Sequence, residues 1–307
     1  MRAAGGDPTA ALRVPGPTRV GRFQLEREEF LPSLDVADAS DRTGVWDVLA
    51  HPDGSLWFTT FFGSAGRVAP GSGLVTRFPA AGPGLNELAL GPRGRVLASR
   101  YGYGHDLHGG VVVFSPDGRV EAEYPLKAAP GVRPAAKSLA WDPLRREIWV
   151  NTDLFQDGSQ KVGHDVRVLG EDGRERLRQT QPEVQFMSFG PDGTGYFAER
   201  EGRRLWLRIR PPGTVRAPAP TERKVPLDDA FPVGLDFVQE VRAEPRGRVV
   251  VTRWSGRIHV VEADGRIRNV SLPRPGGRGL YYSTALRGDR LCTTLCDAVT
   301  VTCSELP

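Results

Sequence analysis

A chain of 307 residues, 39% of them apolar and with a formal net charge of +4, is long enough to bury a sizeable core, and closed all-β folds of this length form around a single one. Its 41 basic and 37 acidic residues are interspersed rather than blocked, a solvated-surface pattern that argues against nucleic acid as a partner. No stretch approaches the roughly 18 consecutive apolar residues of a membrane helix, so no membrane partner is expected.

In chain order, residues 1–20 are rich in Pro, Gly and Ala and lack the apolar centre of a secretory signal. They read as a flexible lead-in, and a cytoplasmic location is the expectation. Residues 21–32, GRFQLEREEFLP, alternate like a strand and end on a proline. A repeat then begins: an apolar strand, a Pro-x-Gly turn, a second apolar strand, a variable loop and a Gly-punctuated hairpin. Its clearest copy is GVWDVLAHPDGSLWFTTFFGSAGRVAPGSGLVTRFP, residues 44–79. Further copies start with LNELALGPRGRVLASRY, KSLAWDPLRREIWVNTD, QFMSFGPDGTGYFAER, QEVRAEPRGRVVVTRW and YSTALRGDRLCTTLC.

The last copy stops one strand short, and residues 21–32 resemble the fourth strands TRFP, EYPL and VSLP. The expected fold is therefore all-β: one domain over residues 21–307, a six-bladed β-propeller of four-stranded blades whose last blade is closed by the N-terminal strand. Such closure removes exposed strand edges. Arg200, Arg203, Arg204, Arg208 and Arg210 surround Leu205, Leu207 and Ile209 with period two, as on the outward face of one strand. The tryptophans other than Trp254 read as packing between blades.

A two-residue turn at Asp297 and Ala298 places Cys292 opposite Cys303, which makes a cross-strand disulfide geometrically feasible. Three cysteines is an odd number, however, and free thiols are the expectation.

Aligned copies give two rings of positions. At the start of the first strand stand Trp46, Asn86, Lys137, Gln185, Gln239 and Tyr282, followed by Asp47, Glu87, Ser138, Phe186, Glu240 and Ser283. At the end of the second strand stand Thr60, Arg100, Thr152, Glu199, Arg253 and Leu295, followed by Phe61, Tyr101, Asp153, Arg200, Trp254 and Cys296. Carboxylates beside Arg and Lys at a channel mouth make an electrostatically organised pocket. Glu199, Glu87 and Glu240 are the candidate acids or bases. Arg100, Lys137, Arg253, Asn86, Asp153, Trp254 and Tyr101 are the candidate ligand-binding groups. The alternative is that these charges pair with one another and plug the channel. Residues 100–110 and 152–165 read as long loops on this face. Their His105, Asp106 and His108, with Asp153, Asp157, His164 and Asp165, are the candidate ligands for a divalent cation, calcium or magnesium.

The phrase PDGSLWFT followed by GRV and GLVTRFP resembles the repeat of streptogramin lyases, propellers that linearise a cyclic depsipeptide with magnesium. No His stands here at the equivalent strand starts. The overall plan also resembles the gluconolactonase and senescence-marker family, whose hydrolases hold a divalent cation with Glu, Asn, Asn and Asp at first-strand starts. Asn86 is the residue that matches that set, and Lys137 occupies another of its positions. The resemblance implies a propeller that binds a small polar or anionic molecule and acts on it as a lactonase-like hydrolase or lyase. A non-catalytic scaffold docking a protein partner through aromatics such as Phe61, Tyr101 and Phe155 is the alternative.

Overall fold

The computed structural model describes residues 45–60, 65–70, 74–78, 81–102, 108–156, 160–179, 184–201, 204–213, 222–228, 238–244, 246–253, 256–271, 281–288, 290–295 and 301–305. They form antiparallel sheets that follow the repeat copy by copy. Blade 1 holds β1 (Val45–Ala50), β2 (Leu56–Thr60), β3 (Ala65–Val68) and β4 (Val75–Phe78). Blade 2 holds β5 (Leu85–Leu90), β6 (Val96–Arg100), β7 (Gly110–Phe114) and β8 (Val120–Pro125). Blade 3 holds β9 (Val132–Asp142), β10 (Glu147–Gln156), β11 (Gln160–Gly170) and β12 (Glu175–Gln179). Blade 4 holds β13 (Val184–Phe189), β14 (Gly195–Glu201), β15 (Arg204–Arg210) and β16 (Arg223–Asp228). Blade 5 holds β17 (Val238–Ala243), β18 (Val249–Arg253), β19 (Arg257–Val261) and β20 (Ile267–Ser271). A last sheet holds β21 (Tyr281–Arg287), β22 (Arg290–Leu295) and β23 (Val301–Glu305).

The described residues thus complete five four-stranded blades rather than the expected six. The reason is local: the last sheet has three strands, and residues 21–32, assigned to its fourth, lie outside the described residues. The first strands nevertheless follow one another round an axis, β1 against β5, β5 against β9, and so on until β21 meets β1. Apolar clusters fill the seams between sheets. Trp57, Phe78 and Phe114 join blades 1 and 2, Trp149, Phe189 and Phe197 join blades 3 and 4, and Val45, Phe58, Ala285 and Cys292 join the last sheet to blade 1.

The turn glycines belong to the same packing. Gly118, at φ +93° in the turn from β7 to β8, abuts Phe78 of the preceding blade, whose ring a Cβ there would meet at 1.9 Å. Only glycine fits both the left-handed backbone and that approach.

Two expectations are corrected. Of residues 152–165, read as a loop, 152–156 extend β10 and 160–165 extend β11 into a long ribbon in which Asp153 lies opposite His164 and Thr152 opposite Asp165. Thr152, Phe155 and Val162 favour extended backbone and sustain pairing on both strands. Cys292, read as a free thiol, is disulfide-bonded, and the backbone register puts Cys303 directly opposite. The cysteine count favoured free thiols, whereas the cross-strand register brings two cysteines within bonding range. No helix among the described residues is long and apolar enough to cross a membrane.

Candidate functional site

Each of the six first strands carries a register irregularity, near its start in five and in the middle of the longer β9. In β1, Val45 pairs with Thr60 and Asp47 with Thr59, leaving Trp46 extra. In β9 the extra residue is Lys137, in β13 Gln185 and in β17 Gln239. In β5 and β21 the interruption spans Asn86 and Tyr282. The first ring read from the sequence is therefore a ring of β-bulges, which bend a strand and re-aim its side chain.

Lys137, Asn86, Asp153 and Tyr101 are brought together between blades 2 and 3. The Asn86 amide donates to the Lys137 carbonyl, and its buried Oδ1 has no hydrogen-bond partner among the described residues. The Lys137 ammonium lies 4.8 Å from the centre of the Phe186 ring. Burial lowers its pKa, opposed by the charges of Asp153 and Glu87. Tyr101 donates to Asp153 across 3.2 Å, and Lys161 pairs with the same carboxylate at 2.6 Å. Burial, then the Asp153 charge, pushes the Tyr101 phenol up, so it stays a donor. Phe155 packs edge-on against Tyr101 at 5.9 Å and under the Arg133 guanidinium at 4.9 Å.

The other predicted residues lie elsewhere. Arg100 turns along its own blade to Glu123, 2.7 Å away, and to the Ala81 carbonyl. Glu199 pairs with Arg208 and lies 3.7 Å from Arg210 in blade 4. Those arginines also hold Glu201 and Glu222, so Arg208 and Arg210 are neutralised within the blade. Burial raises the Glu199 pKa against both arginines. Arg253 is buried at the end of β18. His108 is exposed, Asp165 pairs with Arg167 at 3.1 Å, and Trp254, His105, Asp106 and Asp157 lie outside the described residues.

Glu87 and Glu240 belong to the second ring, which stitches neighbouring blades. Asp47 accepts the Leu88 N–H of the next blade at 2.5 Å, Glu87 accepts Leu139 N–H at 3.0 Å, and Glu240 accepts Thr284 N–H at 2.9 Å. Ser283 accepts Val48 N–H at 3.2 Å, from the last sheet back to blade 1. In blade 4 Phe186 cannot accept, and Ser188 takes the Ala243 N–H at 2.9 Å instead. Adjacent first strands splay too far to share a ladder, so these acceptors satisfy amides that would otherwise be buried and unpaired.

The centre is closed by Arg242, which the sequence reading missed. Its guanidinium donates to the carbonyls of Val48 and Leu88 and to Asp47 at 3.2 Å, and it pairs with Glu240. A signal existed: the aligned positions in the other blades are Leu49, Ala89, Ala140, Ser188 and Ala285. One arginine among mostly small residues has room to cross a channel. Three carboxyls thus surround one guanidinium. Burial pushes Glu240 up to about 8 against the pull of Arg242, and raises Asp47 against the same arginine. Burial, then the charges of Glu240 and Asp47, holds Glu87 well above the usual carboxylate range. Ser283 Oγ contacts both Asp47 and, at 3.0 Å, Glu240. A hydroxyl donates once, so both contacts are hydrogen bonds when Glu240 carries the proton.

This plug separates the bulged mouth from a cavity of about 590 Å³ at the other ends of the first strands, whose lining includes Glu87, Glu240 and Arg242. The donor set at the mouth does not suit a dication. No cluster of three or more His, Cys, Asp or Glu side chains poised for a metal occurs among the described residues, and the Lys137 ammonium, near enough to feel the Asp153 charge, would repel a dication there.

No protein-family model matches the chain, and neither does any curated protein. Solved structures do match. A gluconolactonase from Xanthomonas campestris is 16% identical with a TM-score of 0.60, covering 87% of each chain. A calcium-binding regucalcin from Agrobacterium tumefaciens is 16% identical with a TM-score of 0.53, over 87% of this chain and 93% of the other. A virginiamycin B lyase from Staphylococcus aureus is 14% identical with a TM-score of 0.51, over 86% of this chain and 85% of its own. The fold is that of a β-propeller shared with these lactonase and lyase structures.

Proposed function

We propose that this chain is a small-molecule-binding propeller that acts as a hydrolase or lyase on a polar or anionic ligand at the bulged mouth. The observation that carries the reading is Lys137: a desolvated ammonium stacked on Phe186, beside a buried Asn86 carbonyl oxygen without a partner among the described residues. Such a cation is poised to trade its missing solvation for a carboxylate or hydroxyl of a ligand, with Asn86 Oδ1 accepting a ligand hydroxyl. Asp153, the carboxylate that acts most strongly on Lys137, is the proton-transfer group of this mouth, oriented by Tyr101. The likeness to lactonase and lyase propellers supports the reaction class; fold alone does not fix it. Residues 21–32 complete a sixth four-stranded blade in this reading, supported by β21 packing on β1 and by the Ser283 to Val48 contact.

The test is a thermal-shift screen of the intact chain against lactones, sugar acids, calcium and magnesium, since a ligand of the folded state raises the melting temperature. A lactone or sugar acid is expected to give a shift that Lys137→Met abolishes, with Asp153→Asn keeping the shift and losing turnover. A shift that survives Lys137→Met overturns the assignment, and a response to calcium or magnesium alone replaces it with a cation site outside the residues named.

A further inference from the structure

The cavity on the far side of the plug takes no part in the mouth chemistry, yet it has the size of a small-molecule site, about 590 Å³. Its wall is apolar, with Leu90, Trp141, Phe189, Ala243 and Leu286, and its floor is polar. Arg242 reaches the floor with its donors engaged by Val48, Leu88, Asp47 and Glu240. Glu87 is different. It is 7% exposed and lines the cavity, and its carboxyl accepts one amide, Leu139 N–H at 3.0 Å, with no second hydrogen bond among the described residues.

The charges around it are unbalanced. Asp47, Glu87 and Glu240 face one guanidinium, Arg242, with the Lys137 ammonium of the mouth as a second cation within reach of the Glu87 charge. On the wall Glu244 stands beside Arg248, which is held by the Gly288 carbonyl at 2.6 Å. His51 is held by the Gly94 carbonyl and Asp53, and Arg246 is exposed at the rim. An incoming anion would meet three carboxyls and gain little from Arg242, whose donors are already engaged. An incoming ammonium would replace a proton there.

We infer that this cavity is a second binding site, separate from the mouth, for an organic cation: a protonated amine whose apolar body lies against Trp141 and Phe189 and whose ammonium meets Glu87. Apolar walls that bury the body and one aimed carboxyl that fixes the charged end are the usual division of labour in such sites. Protonated ligands compete with the floor's own protons, so binding releases a proton to the buffer.

The experiment is isothermal titration calorimetry of the intact chain with three probes of similar shape: 2-phenylethylamine, 2-phenylethanol and 3-phenylpropionate. The amine is expected to bind at least about tenfold tighter than the alcohol, and the carboxylate weakest. Glu87→Gln removes the amine's advantage and leaves the alcohol unchanged; Ala89→Phe, which fills the cavity from its wall, abolishes both. Where Glu87→Gln fails to fold, as read by circular dichroism, Glu87→Asp, which keeps the charge and withdraws it by one methylene, carries the same comparison and is expected to weaken the amine alone. Lys137→Met removes a cation that Glu87 feels and is expected to keep amine binding at equal or tighter affinity. The inference is overturned by equal binding of all three probes, by no binding of any, by an amine preference that the Glu87 variants leave undiminished, or by its loss in Lys137→Met.

Discussion

Lys137 and Glu240 differ in aligned position by a single residue, yet they live in opposite regimes. The bulged ring leaves its polar groups unfinished: Lys137 rests on an aromatic ring and Asn86 keeps a buried oxygen unpaired among the described residues. Most of the ring one step further serves structure, with Asp47, Glu87, Glu240 and Ser283 each accepting an amide from the next blade, while Glu87 also borders the far cavity. Because side chains alternate along a strand, one residue of register decides whether a polar group meets a ligand or a neighbouring backbone. The lesson is that convergence of carboxylates on an axis does not by itself make them catalytic. Their hydrogen-bond partners decide.

The comparison breaks first at the plug. Arg242→Met leaves Asp47 and Glu240 facing each other without their shared cation, and removing one partner of a buried charge cluster costs about 3–5 kcal/mol. Urea denaturation is expected to show that loss; a change below about 1 kcal/mol means the second ring is not held by charge. Next in size is the last sheet. Cys292→Ser is expected to cost about 2–4 kcal/mol, the range for loss of a native disulfide, and a reducing agent should lower the wild-type melting temperature without moving that of the variant.

A pH profile sharpens the same contrast. The folded Glu240 pKa, about 8, lies above the ordinary glutamate value of 4.5, so the folded state holds a proton that the unfolded chain releases. Its contribution is complete below about pH 4.5 and is lost as pH rises through about 8; the raised Glu87 and Asp47 act in the same direction. Melting temperature is therefore expected to fall between pH 6 and 9, and Glu240→Gln, neutral throughout, to flatten the slope. Asp53, lowered to about 2, acts only in acid and leaves this window untouched. Smaller still is Glu199→Gln. Arg208 keeps Glu201 and Glu222, and partly exposed networks lose about 1 kcal/mol or less with one member.

The repeat was legible because turn chemistry and apolar alternation are local. Turn spacing likewise placed Cys292 opposite Cys303, the register that the last sheet has. What stayed hidden was set between blades. A bulge shifts register by one residue without a composition signal, so the aligned ring was found but not the reason its members aim together. Arg100 and Glu199 stood at the right aligned positions, yet Glu123 and Arg208 on outer strands of their own blades captured them, and no first-strand pattern reports that. Residues 152–165 looked like a loop because Gly, Asp and His suggested one; the ladder across Asp153 and His164 outweighed those propensities.

Lys137→Met is the smallest expected change in stability and the most decisive for the mouth. Its aliphatic stem is already packed, and burial disfavours its charge, so a thioether of similar length over the Phe186 ring keeps the packing and removes an unfavourable desolvation. The stability change is expected to lie within about 0.5 kcal/mol, as for changes that break no buried network. If denaturation instead shows a loss comparable to that of Arg242→Met, Lys137 is a structural cation like its neighbour across the plug. The two rings then differ in register alone. If stability holds while ligand-induced melting shifts vanish, the bulged ring is the one where the fold leaves charge in reserve for a ligand.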